Sequence, residues 1–121
     1  MSQVLIVDDH ADIRRLLSVT LCTEFSVQEA WDGVTALDLV RRFHPQVVLL
    51  DVMLPGDMDG FKILRTLKQD PLTQDIKVAM ASARGQLKDQ QMAEQLGADA
   101  YFIKPFSPMQ VKAWIRSQIQ P

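Results

Sequence analysis

The chain has 121 residues, 47% hydrophobic and 23% charged, with a formal net charge of -2. That length supports one compact core, and the charge balance argues against a broad electrostatic nucleic-acid footprint and against adsorption to a membrane surface. Cys22 is the lone cysteine, so no intrachain disulfide can form. No apolar stretch approaches the roughly 20 residues needed to span a bilayer, and no signal peptide is visible, so a cytoplasmic protein is expected.

Strand-like and helix-like periods alternate five times. Val4-Leu5-Ile6-Val7 is a continuous apolar run that reads as a buried first strand, followed by Ile13, Leu16, Leu17 and Leu21 at helical spacing. Phe25 to Ala30 reads as a weaker second strand, and Asp32-Gly33 as a turn into a helix marked by Val34, Leu37 and Val40 through about Phe43. Pro45 ends that region before a third strand, Val47-Val48-Leu49-Leu50. Phe61, Ile63, Leu64 and Leu67 outline a third helix closed by Pro71, and Lys77 to Ala81 forms a fourth strand ending at Ser82. Met92, Ala93 and Leu96 mark a fourth helix that Gly97 terminates, and Ala100-Tyr101-Phe102-Ile103 is the fifth strand. Ser107-Pro108-Met109-Gln110 opens the last helix, with Ser107 as cap and Gln110 as its capping-box partner. Val111, Trp114, Ile115 and Ile119 form the buried stripe of that helix.

Five such units predict an α/β fold: a doubly wound parallel sheet of five strands with five helices and right-handed crossovers, in the flavodoxin-like order 2-1-3-4-5. Ligands of open α/β sheets bind beyond the carboxyl ends of the strands, at the switch in strand order, here between strands one and three. Asp8 and Asp9 end the first strand, Asp51 the third, Ser82 the fourth and Lys104 the fifth. Three carboxylates held together repel unless a cation enters, and oxygen-only ligands suit Mg²⁺ with a phosphate oxygen as a further ligand. One carboxylate can then act as nucleophile toward a phosphoryl group, while Lys104 and the Ser82 hydroxyl stabilise the oxygens in transfer.

Blander roles exist for each residue. Asp8 or Asp9 can cap a helix, Lys104 can be a surface lysine, Ser82 a strand-end hydroxyl and Tyr101 a core aromatic. His10 and His44 lack a second ligand at metal spacing and read as surface residues, and Trp31 and Trp114 as packing residues, Trp114 also as part of a partner surface.

In combination, Val7-Asp8-Asp9, Asp51-Val52-Met53-Leu54-Pro55 with Asp59-Gly60, Ser82-Ala83 and Lys104-Pro105-Phe106 resemble the receiver domain of two-component response regulators, of the chemotaxis-receiver type, over essentially the whole chain. The resemblance implies that Asp51 accepts a phosphoryl group from a sensor histidine kinase or histidine phosphotransfer protein. It implies that Asp9, Asp51 and the main-chain carbonyl of Met53 bind Mg²⁺, with Asp8 acting mainly through water, and that Ser82 and Tyr101 form the switch. It further implies a cis Lys104-Pro105 bond, against about 5–6% cis for X-Pro bonds in general. The expected output is a downstream protein target or a covalently linked effector domain, with no direct nucleic-acid or membrane contact and a monomer or weak homodimer. Residues 1–121 are expected to be a single receiver domain with no effector segment, catalysing only its own phosphorylation and dephosphorylation.

Two features depart from the family pattern. The loop Pro55-Gly56-Asp57-Met58-Asp59-Gly60 is one residue longer than usual and brings an extra acid, Asp57, a candidate for altering metal affinity or phosphoryl lifetime. Asp99-Ala100-Tyr101 lacks the second acid that joins a charged dimer face in many winged-helix regulators. Three rival classes are a flavin module, disfavoured because the turn Asp8-Asp9-His10-Ala11-Asp12 repels phosphate, an aspartyl-phosphate phosphohydrolase, whose general acid would be replaced by Met53, and a phosphorylation-independent receiver-like interaction module.

Overall fold

A computed structural model describes residues 1–119. Its elements in chain order are β1 (Gln3–Val7), α1 (Ala11–Leu21), β2 (Ser26–Ala30), α2 (Gly33–Phe43), β3 (Val47–Asp51), α3 (Gly60–Gln69), β4 (Lys77–Ser82), α4 (Leu87–Gln95), β5 (Ala100–Ile103) and α5 (Pro108–Ile119). All neighbouring strands pair in parallel, in the order β2-β1-β3-β4-β5. The expected fold is the observed one, with strand boundaries shifted by a residue at several ends.

Successive residues of a strand point to opposite faces, so each apolar run feeds two cores. Leu5, Val7, Val48, Leu50, Val78 and Met80 pack with Ala36 and Val40 of α2, Ile63, Leu64 and Leu67 of α3, and Ala93 of α4. Val4, Ile6, Val47, Leu49 and Ala79 pack on the other face with Leu17 and Leu21 of α1 and Val111 and Ile115 of α5. Every residue of β3 is buried, as expected of the central strand of a sheet covered on both sides. The stripe on α5 is seated as the spacing predicts, with Trp114 edge-on to Phe102 at 6.1 Å and partly buried.

The helix signals divide into those the structure uses and those it does not. Asp32 is the N-cap of α2 and accepts from the Thr35 N–H at 2.9 Å, so Gly33 is the first helical residue rather than part of a turn. His44 closes α2 in the left-handed region at φ 47°, and Gly97 follows α4 at φ 98°. Ser107 accepts from the Gln110 N–H at 3.3 Å, but among the described residues the Gln110 side chain makes no return bond. Trp31 is corrected: it is 55% exposed beyond the end of β2, not packed. Leu16 of α1 and Val34 of α2 are also exposed, because each helix buries only the stripe that faces the sheet.

Candidate functional site

Strand register assembles the site. Val7 lies opposite Leu50 and Asp51 opposite Ala81, while Ser82 lies opposite Ile103. One step past Val7 therefore sets Asp8 beside Asp51, and one step past Ile103 sets Lys104 on the same rim. Lys104 Nζ donates to Asp8 Oδ2 at 2.8 Å and to Asp51 Oδ2 at 2.9 Å. Both aspartates are only 3% exposed, so the ammonium group compensates two carboxylates that have little water of their own. The Lys104-Pro105 peptide is cis.

The remaining oxygens of the two acids are held by main chain. Asp51 Oδ1 accepts from the Met53 N–H at 3.1 Å, and Asp8 Oδ1 from the His10 N–H at 2.9 Å. Burial, the largest influence, raises the Asp51 pKa above its ordinary value; the hydrogen bond from Lys104 opposes it, and the charge of Asp8 adds to it. For Lys104, burial opposes the charge, but hydrogen bonds and charges from Asp8 and Asp51 outweigh it and leave the pKa raised. Asp51 is thus a carboxylate that a cation would help to keep ionised.

Asp8, Asp9, His10 and Asp51 offer ligand atoms within 4.8 Å of one another. The set is compact and rich in carboxylates, which fits a hard divalent cation such as Mg²⁺. Asp8 and Asp9 do not cap α1, whose N-cap is His10 without a side-chain bond. His10 is exposed as expected, yet its Nδ1 lies 3.1 Å from Oδ1 of both Asp8 and Asp9, so it borders the acids instead of standing apart. The sequence signal for this was only its position directly after the acid pair. His44, at the far end of α2, stays on the surface.

A cavity of about 260 Å³ opens over the cluster, lined by His10, Ile13, Asp51, Met53, Ser82, Ala83 and Lys104. Ser82 is fully buried, and its Oγ accepts from the Arg84 N–H at 3.0 Å. The Tyr101 hydroxyl donates to the Arg84 carbonyl at 2.6 Å, and burial raises the phenol pKa. Ser82 and Tyr101 thus both bond to the main chain of one intervening residue, Arg84, a link that no sequence motif displays.

Asp57 is exposed and stands outside the carboxylate cluster, with its carbonyl accepting from Lys62 Nζ at 2.9 Å. Asp57→Ala is therefore expected to leave the Mg²⁺ dissociation constant within about twofold of wild type, since an exposed, screened charge acts weakly. Titration calorimetry checks this; a larger change would return Asp57 to the site.

Comparisons with known proteins agree with the fold. The profile of the response regulator receiver domain matches residues 4–116. The chain is 37% identical over 119 residues to the probable transcriptional regulator ycf27 of Porphyridium aerugineum, covering 98% of this chain and 48% of that protein. It is 36% identical over 121 residues to the DNA-binding dual master transcriptional regulator RpaA of Synechocystis sp., covering 99% of this chain and 50% of that protein. The chain thus spans about half the length of these curated relatives. The structure of the chemotaxis protein CheY4 of Vibrio cholerae superposes with a TM-score of 0.90 at 27% identity, covering 98% of this chain and 99% of that one.

Proposed function

The chain belongs to the response regulator receiver domain family, whose members are phosphorylation-activated signalling switches and not metabolic enzymes, and from that premise we propose that Asp51 is its phosphoryl acceptor. The observation that carries the assignment is the Lys104 ammonium bridging Asp8 and Asp51 at 2.8 and 2.9 Å on the floor of the cavity that Ser82 also lines.

The donor is a phosphohistidine of a sensor histidine kinase or a histidine phosphotransfer protein. An Asp51 carboxylate oxygen attacks phosphorus, a P–O bond forms, and the P–N bond breaks with its electron pair returning to the donor imidazole. Lys104 and the Ser82 hydroxyl bond the oxygens of the transferring group, and Asp8 keeps Lys104 in place. Asp9, Asp51 and the Met53 carbonyl would hold Mg²⁺, with Asp8 acting through water; when bound, the cation neutralises charge on the carboxylates and the phosphoryl oxygens. Water attack at phosphorus later breaks the P–O bond to Asp51, releasing inorganic phosphate and restoring the carboxylate. An apolar groove of about 310 Å³ formed by Ile13, Leu16, Lys104, Pro105 and Phe106 adjoins the site and shares Ile13 and Lys104 with it. A donor protein bringing its histidine to Asp51 would cover that groove.

The phosphorylated state is read through Ser82 and Tyr101. Its output is either a downstream protein or an effector domain joined to the receiver, the latter in keeping with relatives that are about twice as long and are named as transcriptional regulators. Among the described residues no helix is long and apolar enough to cross a membrane, in keeping with action in the cytoplasm.

The test is intact mass after incubation with acetyl phosphate, with and without Mg²⁺, beside Asp51→Asn. A gain of one phosphoryl group that needs Mg²⁺ and is lost in the variant is expected. No gain in folded wild-type protein would replace this reading with a phosphorylation-independent interaction module.

A further inference from the structure

His10 has no part in the phosphoryl transfer derived above, yet it stands inside the ligand cluster. Its Nδ1 lies 3.1 Å from Asp8 Oδ1 and 3.1 Å from Asp9 Oδ1. Asp8, Asp9, His10 and Asp51 each offer a ligand atom within 4.8 Å of the others. At the roughly 2.1 Å bond length of an octahedral divalent site, neighbouring ligands stand about 3.0 Å apart and opposite ones about 4.2 Å. The imidazole nitrogen is therefore spaced from both acids as one ligand of such a site is from the next. The other oxygen of Asp8 is committed to Lys104 at 2.8 Å, which leaves Oδ1 to face His10. Among the described residues, His10 Nδ1 is the only side-chain nitrogen within ion-pair distance of Asp9. His10 also lines the cavity over the cluster, beside Asp51, Met53 and Lys104. The turn after β1 holds it there: its N–H donates to Asp8 Oδ1 at 2.9 Å, while its side chain makes no capping bond to α1.

We propose that His10 is a further ligand of the metal centre, bonding through Nδ1, and that this nitrogen gives the centre a preference for divalent transition ions such as Co²⁺ and Ni²⁺ over Mg²⁺. The inference rests on the metal site of the reading above and extends its ligand set. Carboxylate, carbonyl and water oxygens suit Mg²⁺, whereas imidazole suits the later first-row ions, whose affinity for such donors rises toward Ni²⁺. With its proton on Nε2, the imidazole presents the Nδ1 lone pair to the ion. The ring is 64% exposed and approaches from the solvent side, so it takes a position that water would hold in an oxygen-only set. Asp9 and Asp51 supply the negative charge that attracts any divalent ion, and His10 discriminates among them. A ring that only donated a hydrogen bond to the acids would steady the carboxylates for every cation and favour none.

The test titrates the whole chain with Ni²⁺ and with Mg²⁺, in the absence of any phosphoryl donor. Wild type should hold Ni²⁺ more tightly than Mg²⁺. His10→Ala is expected to weaken Ni²⁺ about tenfold or more while leaving Mg²⁺ within about threefold. His10→Gln can still donate to Asp8 and Asp9 but offers the ion only an oxygen, so it should lose the same Ni²⁺ affinity. Ni K-edge absorption at one equivalent should show scattering from one imidazole ring. That signature should vanish in His10→Ala and persist in His44→Ala, His44 being the other histidine of the chain. Because His10 is exposed and makes no capping bond, both of its variants are expected to fold. Equal weakening of both ions in His10→Ala, wild-type Ni²⁺ selectivity in His10→Gln, or a Ni²⁺ spectrum without imidazole would overturn the proposal. Binding of both ions that is unchanged in Asp9→Asn would refute the metal site itself and the proposal with it. Failure of Asp51 to take up a phosphoryl group, with the Ni²⁺ and Mg²⁺ results as expected, would refute the phosphoryl reading and leave the ligand assignment standing.

Discussion

Lys104→Met should slow Mg²⁺-dependent phosphorylation of Asp51 by acetyl phosphate about 10²–10³-fold, the usual loss when one preorganised donor to a developing anion is removed. Methionine keeps much of the length and apolar volume of the lysine stem and removes only the charge and its hydrogen bonds. Two buried carboxylates, Asp8 and Asp51, would then lose the ammonium group that lies 2.8 and 2.9 Å from them. Time-resolved intact mass reads the rate, and a loss of less than about tenfold would mean that Lys104 is structural and does not touch the transferring group.

Stability supplies an independent readout of the same contact. Removing one partner of a buried ion pair commonly costs about 3–5 kcal/mol, and protonation of an aspartate offers the variant partial relief. The signs follow from the pKa directions. Asp51 has a raised folded pKa, so its ionisation costs stability as pH rises from the ordinary value of 3.8 through the folded value. Lys104 also has a raised folded pKa, so its contribution is fully present below the ordinary value of 10.5 and is lost as pH rises through the folded one. Urea midpoints should therefore show wild type more stable than Lys104→Met near neutrality. The gap should narrow on acidification, as the variant's carboxylates take up protons, and again in strong alkali, as wild type loses its ammonium. Added Mg²⁺ should narrow the neutral gap as well. A gap independent of pH would mean that the lysine acts through packing alone.

The parts of this site that could be read from the sequence are those whose position follows from strand ends. Val4–Val7 and Val47–Leu50 are buried on both faces, so they appear as unbroken apolar runs, and parallel pairing brings their terminal acids together. Lys104 could be read for the same reason, although β5 is less buried. What could not be read depends on side chains finding each other across loops. His10 carries no helix or strand period, and its closeness to Asp9 depends on how the chain turns after β1. Asp89 resembles an ordinary acid in the first turn of a helix, and nothing in the sequence pairs it with Arg84. The lengthened loop after β3 shows a further packing contact: a Cβ on Gly33 would come within 2.7 Å of Met58 Cβ, so the loop rests on the start of α2. Trp31 follows the last residue of β2 on the rim, where a period-based reading has no face to assign it.

Gly60→Ala should destabilise the protein by about 3 kcal/mol or more, a severe effect for one methyl group. The methyl would stand 2.1 Å from the carbonyl oxygen of Asp51 and 2.7 Å from Val52 Cα, both main-chain atoms with no rotamer to yield. Gly60 opens α3, and its N–H donates to the Val52 carbonyl at 2.8 Å, so the helix begins pressed against the end of β3. Asp59, as N-cap, accepts from the Lys62 N–H at 2.9 Å and fixes the angle of entry. Relieving the clash means moving α3 away or displacing the strand end that carries Asp51. The two routes differ in consequence: the first lowers the urea midpoint alone, and the second also weakens Mg²⁺ binding, because the ligand set shifts. Gly56→Ala is the control. Gly56 has φ 86° but open space where its Cβ would lie, so only the left-handed backbone penalty of about 1–2 kcal/mol applies. If the two variants unfold at the same urea concentration, the close approach of α3 to β3 is not what requires glycine at position 60. If Gly60→Ala alone also loses Mg²⁺ affinity, the glycine sets the position of the acceptor carboxylate as well as the packing of the helix.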